Sequence, residues 1–151
     1  MLTQVRITRI KPNAKLPYQA TPDSAGADLF ACVDDLSGLI IPPHETVLVG
    51  LGIKTEFAKG HVALIYARSG LANKKHLAPA NKVGVVDADY RGEWMVALHN
   101  HSNESQVIED GERIAQVVFQ EVETPQFVEV SEEELTVTER GEGGFGSTGT
   151  K

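Results

Sequence analysis

The sequence has one cysteine and no long apolar run, and each absence excludes a class of protein. Cys32 has no second cysteine to pair with, so an intrachain disulfide and a zinc site built from several cysteines are both excluded. The apolar runs are short, as VALIYA at 62–67 shows, and none approaches the roughly 18 residues of a membrane-spanning helix. We therefore expect no membrane partner.

The beginning of the sequence also lacks the continuous apolar core of a signal peptide. MLTQVRITRIKP alternates polar and apolar residues instead. Together with the near absence of cysteine, this pattern leads us to expect a cytoplasmic protein.

Excess positive charge is absent as well. The net charge is −7, and residues 121–142 alone hold eight glutamates against Arg140. Residues 1–120 are nearly neutral, with 12 Lys and Arg against 13 Asp and Glu. Because no basic stripe exists to follow a phosphate backbone, we expect no nucleic-acid polymer as a partner. A small anionic ligand held by a few local cations remains compatible with this charge distribution.

Helical periodicity is almost missing, whereas short segments rich in Val and Ile recur between proline and glycine turns. These segments are VRITRI (5–10), TVLVGLGI (46–53), HVALIY (61–66), EWMVAL (93–98) and RIAQVVF (113–119). At 151 residues, the pattern predicts one all-β domain, either a barrel or a sandwich. Two stretches could form a short helix: SGLANKKH (69–76), with Ser69 as its cap, and SEEEL (131–135), with a Ser-x-x-Glu capping box. The second is too short and acidic to be more than a turn.

The composition changes at Glu139, which predicts a core over residues 1–138 and a flexible, glycine-rich C-terminal arm over 139–151. The arm contains a literal G-x-G-x-x-G pattern at Gly141, Gly143 and Gly146. That dinucleotide motif requires a helix after the glycines, and only five residues follow Gly146, so we reject the match. The glycines could still turn backbone N–H groups toward an anion.

The residues with the most chemical potential lie at 66–94, YARSGLANKKHLAPANKVGVVDADYRGEW. GVV before Asp87 and EWMVAL after Gly92 both resemble strands, so this region predicts a hairpin with Asp87 and Asp89 at its mouth. The backbone of such a hairpin can read the flat edge of a base. The two aspartates could equally be ordinary turn residues.

Five segments in this order resemble the motifs of one family, the trimeric deoxyuridine triphosphate pyrophosphatases (dUTPases). They are DSAGADLFA (23–31), ARSGL (67–71), NKVGVVDADYRGEW (81–94), GERIAQVVF (111–119) and RGEGGFGSTG (140–149). The resemblance implies a homotrimer of distorted jelly-roll β-barrels, each with a C-terminal arm that crosses to a neighbouring subunit. It also implies hydrolysis of dUTP to dUMP and pyrophosphate by Mg²⁺-assisted water attack on the α-phosphorus, which removes dUTP and supplies dUMP for thymidylate synthesis.

By the same resemblance, Asp87 matches the carboxylate that activates water, a role suited to a group that can orient water and accept its proton. Asp28 matches a carboxylate that holds Mg²⁺ through water, although it could also be a turn residue beside Gly26. Magnesium prefers oxygen ligands and retains several waters, so one carboxylate plus the substrate phosphates is a chemically reasonable set.

The resemblance also assigns the substrate contacts. Uracil is matched to Asn81 and to the backbone of Gly84, Val85, Val86 and Asp87. Tyr90 matches the ring that packs under the deoxyribose and excludes a 2′-hydroxyl, and Met95 either lines this pocket or packs in the core. The phosphate-contacting positions are Arg68, Ser69, Gly70 and Gln116. In the arm, Arg140 is matched to the γ-phosphate, Phe145 to stacking on uracil, and Gly146, Ser147 and Thr148 to phosphate hydrogen bonds.

Arg91 receives a structural interpretation, as the partner of a carboxylate such as Glu93 or Glu112. His76 stands where the family frequently has glycine. Two other functions stay open at this point. One is a zinc-free dCTP deaminase of the same barrel, and the other is a nucleotide-dependent regulator that binds a partner protein, with the acidic stretch 121–142 as a contact.

Overall fold

In a computed structural model, the chain is described at residue 2 and over residues 4–144. Eleven strands run through these residues: β1 (Arg6–Arg9), β2 (Ala27–Phe30), β3 (Leu39–Ile41), β4 (Thr46–Gly50), β5 (Ile53–Glu56), β6 (His61–Tyr66), β7 (Leu77–Pro79), β8 (Gly84–Asp87), β9 (Met95–Asn100), β10 (Gln106–Ile108) and β11 (Arg113–Glu121). One α-helix, α1 (Ser69–Lys75), and one 3₁₀ turn (Glu132–Glu134) interrupt them. The prediction of an all-β protein is confirmed.

The strands form four antiparallel sheets in which spatial neighbours are often distant in sequence. The orders are β2-β11-β6-β8, β4-β9-β7, β1-β5 and β3-β10. In the four-stranded sheet, β11 lies between β2 and β6. This arrangement brings together three motif segments that are far apart along the chain.

The apolar faces of these strands enclose one core. Trp94, Leu29 and Ile41 are almost completely buried there. Cys32 also lies in this core, and burial raises the pKa of its thiol. The thiol is therefore mostly protonated at neutral pH and poorly reactive.

The expected strand over 46–53 is wrong, because the chain turns between β4 and β5. Gly52 adopts a left-handed φ of 66°. A Cβ at this position would lie 2.7 Å from the Cβ of Ala14 and 2.8 Å from the Sγ of Cys32. The turn depends on a glycine, for both backbone conformation and space.

The expected hairpin around Asp87 is also wrong. β8 pairs with β6, whereas β9 pairs with β4 and β7, so no ladder joins β8 to β9 in the described part of the chain. Residues 88–94 connect the two strands, and this connection is longer than the two to five residues typical of hairpin loops. The two strands therefore separate into different sheets.

Both short helical stretches form. Arg68, rather than the predicted Ser69, is the N-cap residue of α1, and no side chain caps this helix. The capping box at Ser131 and Glu134 is confirmed, although it closes only the 3₁₀ turn. No helix among the described residues is long and apolar enough to cross a membrane.

His76 ends α1 in a left-handed conformation, with φ 55° and ψ 32°. Glycine is the usual residue at such a helix end because it has no Cβ to clash with the following carbonyl. The departure from glycine at this position therefore has a conformational cost.

We predict that His76→Gly raises the free energy of unfolding by about 0.5–1 kcal/mol. Glycine relieves the strain of the left-handed conformation, and the greater entropy of glycine in the unfolded chain cancels part of this gain. Equilibrium urea denaturation measures the change. Lys74→Gly is the matched control, because Lys74 is exposed within the same helix, where glycine should destabilise by a similar amount. Equal destabilisation by both substitutions would contradict the prediction.

Candidate active site

Asp28, on β2, forms the centre of a cluster of ion pairs. Its Oδ1 accepts a 2.6 Å hydrogen bond from Nε of Arg68, which follows β6. Nη1 of Arg113, at the start of β11, lies 3.2 Å from Oδ2. Only 13% of the Asp28 side chain is exposed. Two guanidinium groups thus surround one carboxylate, which leaves the cluster with a net positive charge.

Gln116 lies beside this cluster on β11, directly opposite Asp28 on one side and Tyr66 on the other. Its Nε2 donates a 2.9 Å hydrogen bond to the carbonyl of Ala67. A Cβ at Gly26 would lie 2.7 Å from Oε1 of Gln116, so the glycine leaves the room that this amide occupies. The structure therefore brings Asp28, Arg68 and Gln116 together.

A cavity of about 420 Å³ opens at this end of the sheet. Its lining contains four cationic side chains and one carboxylate, together with Gly70 and Leu71: Arg68, Lys74, Lys75, Arg113 and Glu112. Nζ of Lys75 lies 2.6 Å from Oε1 of Glu112, so this carboxylate offsets the charge of Lys75. The other three cations are not paired with Glu112. Ser69 and Gly70 are exposed at the rim, and no atom lies within 4 Å of a Cβ built on Gly70. The cavity is suited to a ligand with several negative charges.

Arg113 was missed as a site residue by the sequence reasoning. It neutralises Asp28 together with Arg68, and its guanidinium lies 5.7 Å from the ring centroid of Tyr18 and 5.8 Å from that of Phe30. Arg113 is the first residue of RIAQVVF (113–119), a segment that the sequence predicts to be a strand. Nothing in the linear sequence, however, shows that β11 will place it beside Asp28.

A second cavity, of about 320 Å³, lies at β8. It is lined by Leu48, Val85, Val86, Asp87, Tyr90, Glu93, Trp94 and Met95. Asp87 is exposed at the end of β8, which is an outer strand of its sheet. Met95 is 41% exposed, so its alternative assignment as a core residue is wrong. Most of the predicted uracil and sugar residues, though not Asn81 or Gly84, thus border a cavity of suitable size for a nucleoside.

Asn81 stands at the turn that leads into β8. The N–H of Lys82 donates to the carbonyl of Pro79 at 3.1 Å, and Lys82 has a left-handed φ of 66°. Nδ2 of Asn81 lies 3.7 Å from a Cβ built on Gly84. The side-chain amide of Asn81 therefore lies close to Gly84, the first residue of β8.

Tyr90 folds back over the turn that follows β8. Its hydroxyl donates to the carbonyl of Glu93 at 3.1 Å, and its N–H donates to the carbonyl of Asp87 at 3.1 Å. A Cβ on Gly92 would collide with the Tyr90 ring. The carboxylate of Glu93 accepts a hydrogen bond from the N–H of Gly52 at 2.9 Å, which anchors the turn to the barrel.

The carboxylate that pairs with Arg91 is not one of the two that the sequence suggested. Nη2 of Arg91 lies 3.7 Å from Oε1 of Glu56. Glu93 and Glu112, the expected partners, are occupied elsewhere, by the N–H of Gly52 and by Lys75 respectively.

The two cavities are far apart within one chain. Asp28 and Asp87 lie on the two outer strands of the four-stranded sheet, which are separated by three strand spacings. Gln116 on β11 pairs with Asp28 on β2 and with Tyr66 on β6, so Asp28 lies at the level of Tyr66. Asp87 on β8 pairs with Val62, four residues before Tyr66 on β6. Over a flat sheet, spacings of about 4.8 Å between strands and about 3.3 Å along a strand then place the backbones of Asp28 and Asp87 roughly 19 Å apart.

The described residues contain no group of three or more His, Cys, Asp or Glu side chains that could hold a metal ion. His99 and His101 contact each other with ring centroids 4.5 Å apart, and burial followed by the charge of His99 lowers the pKa of His101. Asp28 is a single carboxylate beside a cavity for anions. Both of its oxygens are paired with guanidinium groups, so a magnesium ion would have to be carried mainly by ligand phosphates and would contact Asp28 only through water.

Only the beginning of the predicted arm belongs to the described residues. Arg140 is exposed, and its Nε donates to the carbonyl of Gly143 at 2.8 Å. Phe145, Gly146, Ser147 and Thr148 lie outside the described residues.

A β-barrel with a cationic cavity at one end of a sheet and a nucleoside-sized cavity at its edge has the features of a nucleotide-binding protein. Comparisons with known proteins define the class further. The dUTPase family model matches residues 12–149. The chain therefore belongs to the dUTPase family.

Individual relatives agree with this assignment. A deoxyuridine 5'-triphosphate nucleotidohydrolase of Hydrogenobaculum sp. (strain Y04AAS1) is 47% identical over 145 residues, which cover 96% of this chain and 97% of the relative. The protein of that name from Anaplasma marginale (strain St. Maries) is 44% identical over 151 residues, covering 99% and 100%. Among solved structures, a Staphylococcus bacteriophage 80alpha dUTPase with dUPNHPP is 28% identical, with a TM-score of 0.86 and coverage of 97% and 98%. The jelly-roll fold expected from the resemblance is confirmed.

Proposed function

We propose that this protein hydrolyses dUTP to dUMP and pyrophosphate. One observation carries the proposal: the exposed carboxylate of Asp87 borders the same 320 Å³ cavity as Tyr90 and Met95, on the outer edge of β8. A base can hydrogen-bond to that backbone edge while its sugar rests on Tyr90. The names of the two relatives describe hydrolysis of the same nucleotide and support this choice over deamination of dCTP.

The reaction is a displacement at the α-phosphorus. Asp87 accepts a hydrogen bond from a water molecule, orients it toward the α-phosphorus and takes up its proton as the new P–O bond forms. The bond between the α-phosphorus and the bridging oxygen breaks, and pyrophosphate leaves with that oxygen and its electron pair. A carboxylate is suited to both tasks, because it can accept a hydrogen bond and a proton.

Substrate selection follows from the residues around Asp87. Asn81 and the outer edge of Gly84–Asp87 can pair with the polar edge of uracil, and a mismatched base would leave buried polar groups unpaired. The Tyr90 ring leaves no space for a 2′-hydroxyl when the sugar lies against it. Met95 and Val86 add apolar contacts.

The phosphates would be bound by Arg68, Ser69, Gly70 and Gln116. Arg68 and Gly70 line the cationic cavity, Ser69 is exposed next to Gly70, and Gln116 lies opposite Asp28. Guanidinium is suited to phosphate because its planar fork can donate two hydrogen bonds to one group. Asp28 would hold Mg²⁺ through water, and the ion would neutralise phosphate charge.

A homotrimer explains how the two cavities can serve one ligand. The separation of roughly 19 Å between Asp28 and Asp87 is too large for the cationic cavity and Asp87 of one chain to act on neighbouring atoms of dUTP. Residues from different subunits would meet instead, with the arm over 139–151 crossing to a neighbouring site and placing Arg140 and Phe145 on the γ-phosphate and uracil. Cytoplasmic localisation and a role as a nucleotide-dependent regulator stay predictions.

A substrate panel tests the proposal. The purified protein is offered each deoxynucleoside triphosphate with Mg²⁺, and both pyrophosphate and ammonia are measured. Pyrophosphate from dUTP alone is expected. Ammonia from dCTP would identify the deaminase instead, and no turnover of either nucleotide would contradict both enzymatic functions.

A further inference from the structure

Arg91 lies in the turn between Asp87 and β9 and holds that turn from within. Its Nη1 donates hydrogen bonds to the carbonyl of Ala88 at 2.8 Å and to the carbonyl of Tyr90 at 3.1 Å. These two acceptors lie on either side of Asp89. The guanidinium therefore fixes the backbone that presents the Tyr90 ring.

The same guanidinium is also tied to the barrel through a chain of charges. Its Nη2 lies 3.7 Å from Oε1 of Glu56, at the end of β5. The other carboxylate oxygen of Glu56 accepts a 2.6 Å hydrogen bond from Nη1 of Arg6, directly opposite on β1. A guanidinium is suited to these contacts because its donors project in a rigid fork toward acceptors that lie in different directions.

This chain of charges is poorly suited to stabilising the fold. The side chains of Arg6 and Arg91 are 73% and 53% exposed, and exposed ion pairs contribute little to stability. The turn also has a second, less exposed anchor, from the carboxylate of Glu93 to the N–H of Gly52. Loss of Arg91 should thus leave the turn folded but change its exact position.

The position of the turn matters because it determines where the Tyr90 ring lies. We propose that Arg91, held in place by Glu56, is a positioning residue that sets the discrimination between deoxyribo- and ribonucleoside triphosphates. The proposal rests on the proposed function, since it assigns a role within the same site. A ring displaced by a fraction of an ångström would open space for a 2′-hydroxyl and weaken the selection against UTP.

The test compares kcat/KM for dUTP and UTP in Arg91→Gln and in Lys54→Gln. Lys54 lies on β5 two residues before Glu56 and lines the same surface cavity as Arg91, so its substitution removes one positive charge without touching the turn. We expect the ratio of kcat/KM for dUTP to kcat/KM for UTP to fall about tenfold in Arg91→Gln. This is a fraction of the roughly 100-fold that a 1 Å displacement can cost. In Lys54→Gln the ratio should equal that of the wild type.

Two further measurements separate positioning from a general loss of structure. Glu56→Gln should lower the ratio in the same direction, and should have no additional effect in the Arg91→Gln background, since both residues act in one chain. Hydrogen exchange of residues 86–93 without nucleotide should be faster in Arg91→Gln and unchanged in Lys54→Gln. An unchanged ratio in Arg91→Gln, or an equal fall in Lys54→Gln, would overturn the proposal. Absence of dUTP turnover in the wild type would instead overturn the proposed function.

Discussion

Replacing Asp87 with asparagine is expected to lower kcat for dUTP hydrolysis by about 10²–10⁴-fold, the usual contribution of a general base. Asparagine has nearly the same shape and its amide oxygen can still accept a hydrogen bond from water. It cannot take up the proton that the water loses during attack. Binding should change little, because the substrate contacts of β8 are made by its backbone. Pyrophosphate release at saturating dUTP measures kcat, and the dependence on dUTP concentration measures KM.

Asp89→Asn is the matched control for this experiment. Asp89 is also exposed and lies two residues further along the same turn, but it does not line the cavity that Asp87 shares with Tyr90. It should retain nearly normal turnover. Near-normal turnover in Asp87→Asn would remove Asp87 from the mechanism, and an equal loss in both variants would point to a general effect of charge.

Ending the chain after Glu139 is expected to reduce turnover by about 10²–10³-fold, the range found when one group that stabilises transition-state charge is removed. The truncation removes Arg140 and Phe145 together. The barrel should be unaffected, because residues 122–142 are exposed in the structure. The thermal midpoint without nucleotide and the oligomeric state should therefore match those of the full chain, whereas kcat should fall.

The energetics of the arm predict which ligands reveal its role. Fixing ten residues costs about 1–2 kcal/mol each in backbone entropy, and stacking Phe145 on a base returns only about 1–3 kcal/mol. Closure should therefore require the triphosphate. Truncated and full-length protein should bind dUMP equally, but the truncated protein should bind a nonhydrolysable dUTP analogue more weakly. Removing only residues 149–151 is the control, and a fully active truncation at Glu139 would refute a lid function.

Much of the fold could be predicted because the relevant signals are local. The Val- and Ile-rich segments at 61–66 and 113–119 became β6 and β11 almost without change in their bounds. Four short strands, β2, β3, β7 and β10, were missed, since segments of three or four residues carry little visible alternation. The break at Gly52 was missed for another reason: it depends on the close approach of Ala14 and Cys32.

The candidate site, like the fold, could be predicted from the sequence only in part. The motif segments around Arg68, Asp87 and Gln116 were recognisable as patterns, but the partner of Arg91 and the contribution of Arg113 were not. Pairing of β11 with β2 places Arg113 beside Asp28, whereas packing between different sheets places Glu56 beside the turn after β8. Pairing over long sequence separations leaves no trace in the residues next to either partner.

The β-rich class, the near absence of helix, the change of composition at Glu139 and the residue types available for phosphate and base binding are all readable from the sequence. These properties follow from composition and from preferences that act over a few residues. The folded barrel was needed to show that Arg68 and Arg113 meet at Asp28, that Met95 faces a cavity rather than the core, and that the cationic and nucleoside-sized cavities lie on opposite edges of one sheet. These are consequences of the register and order of antiparallel strands, which are selected by the packing of the whole barrel and not by any single segment.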